Sequence, residues 1–152
     1  MPIEIINGLY LGNKVDGHNV DFLISRKINI IINTSNEVPF IKNNGDLEQI
    51  RVPISDKFME SEKEKYNNEY YYQLDSLCKL IDLKLKKNLN VLVHCKYGKY
   101  RSTCLVVAYL MYKTRIKLDT IYEIMMTKYP LVKLKNHLFE GALRLYEKDV
   151  IK

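Results

Sequence analysis

Cys95 and Arg101 stand six positions apart in the run Val91-Leu92-Val93-His94-Cys95-Lys96-Tyr97-Gly98-Lys99-Tyr100-Arg101-Ser102. A short apolar segment ends at the cysteine, a glycine sits midway, and helical spacing begins after the arginine. A strand, loop and helix in that order can curl the N–H groups of residues 96–101 around one tetrahedral anion. The partial positive charge of a helix N-terminus adds to them. Gly98 lies mid-loop, where a side chain would obstruct a tight turn. Amides, a helix end and a nearby guanidinium favour the thiolate of a cysteine, the form able to attack phosphorus. Arg101 supplies a planar fork that can grip two phosphoryl oxygens, which a lysine cannot reproduce. The competing reading, a core cysteine followed by a surface arginine, accounts for each residue alone but not for the strand, cysteine, glycine, arginine and helix together.

The other two cysteines read differently. Cys78 falls on the apolar face of a long helical pattern, and Cys104 one turn into the helix after Arg101; both are expected in the core. A reversible disulfide between Cys104 and an oxidised Cys95 is the minority reading for Cys104. Three cysteines are too few and too scattered for a disulfide framework, which points to a reducing compartment. His18, His94 and His137 belong to no set with metal-ligand spacing, so neither metal nor other cofactor is expected.

The elements that must position this loop follow from periodicity. Asn7-Gly8-Leu9-Tyr10-Leu11-Gly12 reads as a turn and a short extended segment. Residues 20–27 have helical spacing at Val20, Leu23 and Ile24. Ile28-Asn29-Ile30-Ile31-Ile32-Asn33 is a β-branched run suited to a buried strand. Ile50-Arg51-Val52-Pro53-Ile54 is a second strand candidate, with Pro53 at its end or at a sheet edge. Across residues 62–87, Tyr70, Leu74, Leu77, Ile81 and Leu85 form one stripe of a long amphipathic helix, flanked by Tyr71 and Cys78. Val91-Leu92-Val93 is a wholly apolar strand, and residues 102–112 a helix. Asp119 is expected to cap the next helix, which carries Ile121, Ile124 and Met125 and stops before Pro130. A last helix covers about 136–148. Strands separated by helices imply an α/β fold: a small central, mostly parallel sheet flanked by helices, as one domain over residues 1–152.

A chain of 152 residues can bury a real core. Its opening lacks the basic, apolar and small-residue order of a signal peptide, and the longest apolar runs are too short to span a bilayer. A cytoplasmic or otherwise intracellular protein without stable membrane insertion is expected, its oligomeric state left open. The formal net charge of +6 suits an anionic substrate without choosing among phosphoprotein, phosphoinositide and nucleic acid. Lys84, Lys86 and Lys87 read as a solvated helix end.

His94-Cys95, Gly98 and Arg101-Ser102 together resemble the signature loop of the protein tyrosine phosphatase superfamily, and the chain is similar to its small dual-specificity branch. Leu9-Tyr10-Leu11-Gly12 resembles that branch's opening strand, Ile31-Ile32-Asn33 the strand that follows, and Ala108-Tyr109-Leu110-Met111 the helix after the loop. Asn136, Phe139, Leu143, Tyr146 and Glu147 keep the spacing of the closing helix, so the likeness runs over about 5–147. It implies a phosphatase with a cysteinyl-phosphate intermediate on Cys95. Ser102 would help the sulfur leave, unless it caps the helix, and His94 would order the loop from behind. It also implies a general acid ahead of the long helix, and Ile54-Ser55-Asp56 resembles the segment that carries it, making Asp56 the candidate. Asp56 precedes Cys95 by 39 positions, more than is usual in this branch. The surplus falls in the polar stretch 57–68, where Glu60 and Glu62 are the alternative acids. Ala142 stands where the closing helix commonly has Gln.

For the substrate, a phosphorylated protein is preferred, carrying phosphotyrosine or phosphoserine/threonine. Lys96 and Lys99 resemble lysines in the loops of certain phosphoinositide phosphatases, but Tyr97 and Tyr100 depart from the small residues common there. The two tyrosines are equally consistent with stacking on a substrate or filling surface grooves. Lys96, Tyr97, Gly98, Lys99 and Tyr100 are thus the candidate substrate-binding residues. A 5′ RNA end, and a silent phosphate-binding module, are the remaining alternatives.

Overall fold

The computed structural model describes residues 2–42, 45–55, 57, 59–129 and 139–151. Strands β1 (Ile3–Ile6) and β2 (Leu9–Gly12) form an antiparallel hairpin, its turn at Asn7 and Gly8. After a single 3-10 turn at Asp16–His18 comes helix α1 (Val20–Ser25), capped by the Asn19 side chain on the Phe22 N–H. The isoleucine run is strand β3 (Ile28–Asn33), buried everywhere but at Asn29. Strand β4 (Glu48–Arg51) starts two residues earlier than the sequence suggests and stops short of Pro53. A 3-10 turn at Glu60–Glu62 leads into helix α2 (Lys63–Lys86), then strand β5 (Asn90–His94). Helices α3 (Arg101–Thr114), α4 (Leu118–Lys128) and α5 (Glu140–Val150) complete the chain.

The sheet order is β1-β2-β5-β3-β4, parallel except at the β1–β2 edge. β5 therefore lies in the middle, hydrogen-bonded to β2 on one side and β3 on the other. The period of two in each strand sorts its residues onto two faces. Leu9, Leu11, Ile30, Ile32, Val91 and Val93 join the core under α2, α3, α4 and α5. Tyr10, Ile31 and Leu92 point the other way and meet Leu23 of α1. A strand covered on both faces reads as continuous apolar sequence, as β3 and β5 do. Cys78 and Cys104 are fully buried in the larger core, and burial pushes the Cys78 thiol up to about 12 and the Cys104 thiol well up.

Several local expectations need correction. The helix expected over 20–27 forms as α1 but ends at Ser25, and of its spaced apolar residues only Leu23 is buried, because two turns of helix offer the sheet a single row. Ile124, on α4, is 39% exposed. Asp119 lies inside the first turn of α4 rather than at its cap, with its carboxylate 2.7 Å from Arg144 Nη2 on α5. The start expected for the last helix, at Asn136, falls outside the described residues. Ala142 is buried, and its N–H donates to Asn67 Oδ1 at 2.8 Å, so this position ties α5 to α2. Among the described residues no helix is long and apolar enough to cross a membrane.

Candidate active site

β5 delivers Cys95 to the C-terminal edge of the sheet, and α3 starts at Arg101, so residues 95–101 form the loop between central strand and buried helix. Cys95 is 2% exposed. Its Sγ accepts a hydrogen bond from the Gly98 N–H at 3.2 Å and lies 3.1 Å from Ser102 Oγ. The loop thus closes on its own sulfur. Gly98 has φ 71°, and a Cβ built there would come within 2.9 Å of the Gly12 carbonyl oxygen. Both the backbone angle and the space call for glycine. Thr103 Oγ1 donates to the Gly98 carbonyl at 3.2 Å and fastens the loop to the first turn of α3. Ser102 is the second residue of that helix, whose cap position is Tyr100, so its hydroxyl faces the sulfur and is not a cap.

Arg101 is a charged side chain with 1% exposure. Nη1 donates to Glu37 Oε1 at 2.7 Å and to the Ile54 carbonyl at 2.8 Å. The main-chain oxygen of Arg101 accepts from the Tyr70 hydroxyl of α2. A charge this deeply buried requires such partners. Burial alone would raise the Glu37 carboxyl, but the hydrogen bond and charge of Arg101 outweigh it and hold the group below its ordinary value.

His94 is buried at the end of β5, and its carbonyl accepts from the Thr34 N–H at 2.8 Å and Thr34 Oγ1 at 3.0 Å. Its ring Nδ1 lies 3.3 Å from the Cys95 carbonyl oxygen. A Cβ placed on Gly17 would sit 2.6 Å from His94 Nε2, so the 3-10 turn at Asp16–His18 packs directly on this ring. That turn is held by its own side chains: Asp16 Oδ2 accepts from Asn13 N, and Asn13 Oδ1 accepts from Val15 N and Asp16 N. Lys14 N then donates to the Lys96 carbonyl at 3.2 Å. Residues 12–18 brace the loop from outside.

Burial holds the His94 imidazole below its usual range, more than the Cys95 backbone contact lifts it. The unfolded ring takes up a proton below about pH 6.5, whereas the folded ring resists until lower pH. The contribution to stability is therefore complete above pH 6.5 and is lost as the pH falls from there toward the depressed folded value. The thermal midpoint is expected to drop across that window. His94→Asn should flatten the drop, and an equal slope in both proteins would show that another group is responsible.

Of the rim residues, Lys96 and Gly98 are half-buried, while Tyr97 and Lys99 are exposed. Lys96 Nζ lies 5.2 Å from the Tyr97 ring centroid. Tyr100 is half-buried and packs against the main core. Asp56 lies outside the described residues; Ile54, two positions before it, is buried and bound to Arg101. Of the polar stretch after it, residues 60–62 form the 3-10 turn and residues 63–68 the first turns of α2. There Glu62 Oε1 accepts from the Met59 N–H at 3.2 Å and Glu60 lies 3.9 Å from Lys63.

Glu37, Gly17, Thr34 and Thr103 carry no signal in the sequence as site residues, and Tyr70 reads there only as one position of the apolar stripe on α2. Glu37 has no local signal at all, since its partner is 64 positions away.

Residues 9–149 match the family model for the dual specificity phosphatase catalytic domain. Human dual specificity protein phosphatase 9 is 31% identical over 150 residues, covering 98% of this chain and 37% of the relative. Human dual specificity protein phosphatase 6 is 32% identical over 150 residues, with the same coverages of 98% and 37%. The crystal structure of human DUSP28 superposes with a TM-score of 0.83 at 20% identity, covering 99% of this chain and 95% of that one, and shares its fold. The chain belongs to the dual specificity phosphatase catalytic-domain family. It spans little more than a third of the length of these two curated relatives.

Proposed function

We propose that this chain hydrolyses phosphate monoesters on phosphotyrosine and phosphoserine/threonine proteins through a cysteinyl-phosphate intermediate. The observation that carries the reading is the Cys95 sulfur, enclosed by a loop that donates an N–H to it, beside an arginine buried and anchored at the start of the next helix. In the first step the thiolate of Cys95 attacks phosphorus and the bond to the leaving oxygen breaks. Asp56, as the carboxylic acid, gives that oxygen its proton. Amides of 96–101 and the Arg101 fork hold the equatorial oxygens as charge spreads over them. In the second step water attacks phosphorus, its proton passes to the Asp56 carboxylate, and the S–P bond breaks. The Ser102 hydroxyl, 3.1 Å from the sulfur, donates to the departing thiolate. His94 acts on the loop from behind, wedged between the Cys95 carbonyl and Gly17. No step calls for a metal or another cofactor.

Phosphate release should be compared across phosphotyrosine and phosphothreonine peptides, phosphoinositides and triphosphate-ended RNA. The proposal expects the peptides to lead. A phosphoinositide lead that disappears in the Lys96→Ala, Lys99→Ala double variant would transfer the assignment to lipid. Phosphopeptide binding without turnover would mark a silent module.

Asp56→Asn tests the acid. Alkyl phosphates have poor leaving groups and depend on protonation, so their hydrolysis should slow roughly 10²-fold. An activated aryl ester should slow much less, and equal losses on both would assign the proton to another group.

A further inference from the structure

We propose that the cleft between the loops after β2 and β3 is a specificity subsite. It seats a carboxylate and an apolar side chain that flank the phosphorylated residue of a protein substrate. Given the reading of the chain as a protein phosphatase, on which this rests, the cleft selects among phosphoproteins.

The cleft has a volume of about 540 Å³ and is lined by Lys14, Val15, His18 and Asn19 from one loop and by Val38 and Pro39 from the other. Ligand sites fall in this range of size. It lies outside the carboxyl ends of parallel strands, where such sheets bind their ligands. Because β2 and β3 are the two neighbours of β5, their loops flank residues 95–101. The Lys14 N–H donates to the Lys96 carbonyl at 3.2 Å, and a Cβ on Gly98 would stand 3.4 Å from Asn13 Cβ. Lys14 is thus one hydrogen bond from the neighbour of Cys95. An extended peptide advances about 3.3 Å per residue, so a side chain within three positions of the phosphorylated one reaches this cleft.

Both walls are fixed by their own hydrogen bonds. Asn13 Oδ1 accepts from the Val15 and Asp16 N–H groups, and the Gly17 N–H donates to the Asn13 carbonyl at 3.1 Å. Across the cleft, the Val38 N–H donates to Ser35 Oγ at 3.1 Å. The Val38 carbonyl accepts from Asn33 Nδ2 at 2.8 Å and from Arg51 Nη2 at 2.7 Å. A wall already in place costs a ligand little ordering. Charge then chooses the occupant. Lys14 and His18 line the cleft, and among its described lining residues none is acidic. Asp16 of the same loop is buried, with Oδ2 accepting from the Asn13 N–H at 2.9 Å. A carboxylate therefore suits the polar end, while Val15, 64% exposed, and Pro39 suit an apolar side chain. His18 Nδ1 lies 2.9 Å from the Lys14 carbonyl, which can only accept, so Nδ1 is the donor. Nε2 of the neutral ring is then an acceptor for a peptide N–H, a group that a lipid headgroup lacks.

Three matched phosphotyrosine peptides test this by kcat/KM on the full chain. The first carries Glu and Leu within three positions on either side of the phosphotyrosine. The second has Lys in place of each Glu, and the third Ser in place of each Leu. The parent is expected to prefer the first over each of the others by roughly three- to ten-fold. Lys14→Glu should erase or invert the preference for Glu over Lys. Val15→Ser should bring the preference for Leu over Ser to within about two-fold. In each variant the other preference should stand. Lys79→Glu changes the net charge equally on α2, across the sheet from α1, and should keep both preferences of the parent.

Residues that merely brace the loop 95–101 would lower kcat/KM on all three peptides alike and leave the ratios unmoved, and that result overturns the proposal. An equal loss of the Glu preference in Lys79→Glu and Lys14→Glu would reveal only a general field and overturns it too. So does a phosphoinositide turned over faster than every peptide, with that lead lost in Lys14→Glu, which would assign the cleft to a headgroup. If Lys14→Glu does not fold, Lys14→Ala decides: a Glu preference cut by half or more supports the subsite, an unchanged one rejects it. A parent that hydrolyses the three peptides equally loses the subsite and remains a phosphatase. A parent that hydrolyses neither peptide nor aryl phosphate loses the protein-phosphatase reading, and the subsite with it.

Discussion

Cys95→Ser is expected to lower phosphate release by about 10⁴-fold or more while leaving oxyanion affinity within a few-fold of the parent. The size of the loss follows from what the change removes. A serine hydroxyl is scarcely ionised at neutral pH, and among the described residues no base lies against the Cys95 sulfur to take its proton: His94 touches the Cys95 carbonyl. Loss of a nucleophile ordinarily costs a comparable factor. Binding should survive because the anion is held by main-chain donors and Arg101, not by the sulfur. The loop itself should also survive. The Gly98 N–H and Ser102 Oγ, which now meet Sγ at 3.2 and 3.1 Å, both find an oxygen they can bond. Tungstate calorimetry and single-turnover phosphate release on the same preparation check both halves. A Ser variant that keeps a tenth of the parent activity would end the covalent mechanism, and one that no longer binds tungstate would show that the sulfur holds the loop together.

Where the sequence speaks clearly, it does so through short-range physics. The isoleucine run of β3 and the Val91-Leu92-Val93 core of β5 are legible because strands buried on both faces have no polar alternation to conceal them. The stripe on α2 is legible because a long helix repeats its pattern often enough to be read. Cys95, Gly98, Arg101 and Ser102 are legible because all the chemistry falls within one strand-loop-helix turn. What eludes it depends on distant pairing. Strand β1 is recognisable only beside β2, since four residues of mixed burial carry too short a pattern. Glu37 looks like any exposed acid of a loop, and only the parallel pairing of β3 with β5 sets it against Arg101. Gly17 resembles an ordinary turn glycine until the His94 ring is seen against its α-carbon. The expected cap at Asp119 fails for the same reason: its carboxylate finds Arg144 across the interface with α5, a partner that local sequence cannot rank against a helix cap.

Arg101→Lys keeps the charge and is nevertheless expected to cost roughly 10² to 10³-fold in kcat. The native side chain is almost wholly enclosed, with Nη1 committed to Glu37 and to the Ile54 carbonyl. A lysine has a single nitrogen at the end of its stem. Placed to meet Glu37 and Ile54, that nitrogen satisfies the buried partners and has no planar edge to turn toward the phosphoryl group. Placed on the phosphoryl oxygens, it leaves the Ile54 carbonyl and the Glu37 carboxylate without their donor. Either way the two parallel hydrogen bonds that sharpen as charge develops in the transition state are lost, while the attraction of a positive charge for a dianion remains. KM should therefore move only a few-fold, with the deficit concentrated in kcat. The thermal midpoint should fall modestly, since the ion pair to Glu37 can still form. Steady-state kinetics on an aryl phosphate at neutral pH, paired with tungstate binding, separates charge from geometry. Should the lysine variant retain activity within about ten-fold, charge alone would suffice, and the planar fork would no longer explain why an arginine is buried at the start of α3.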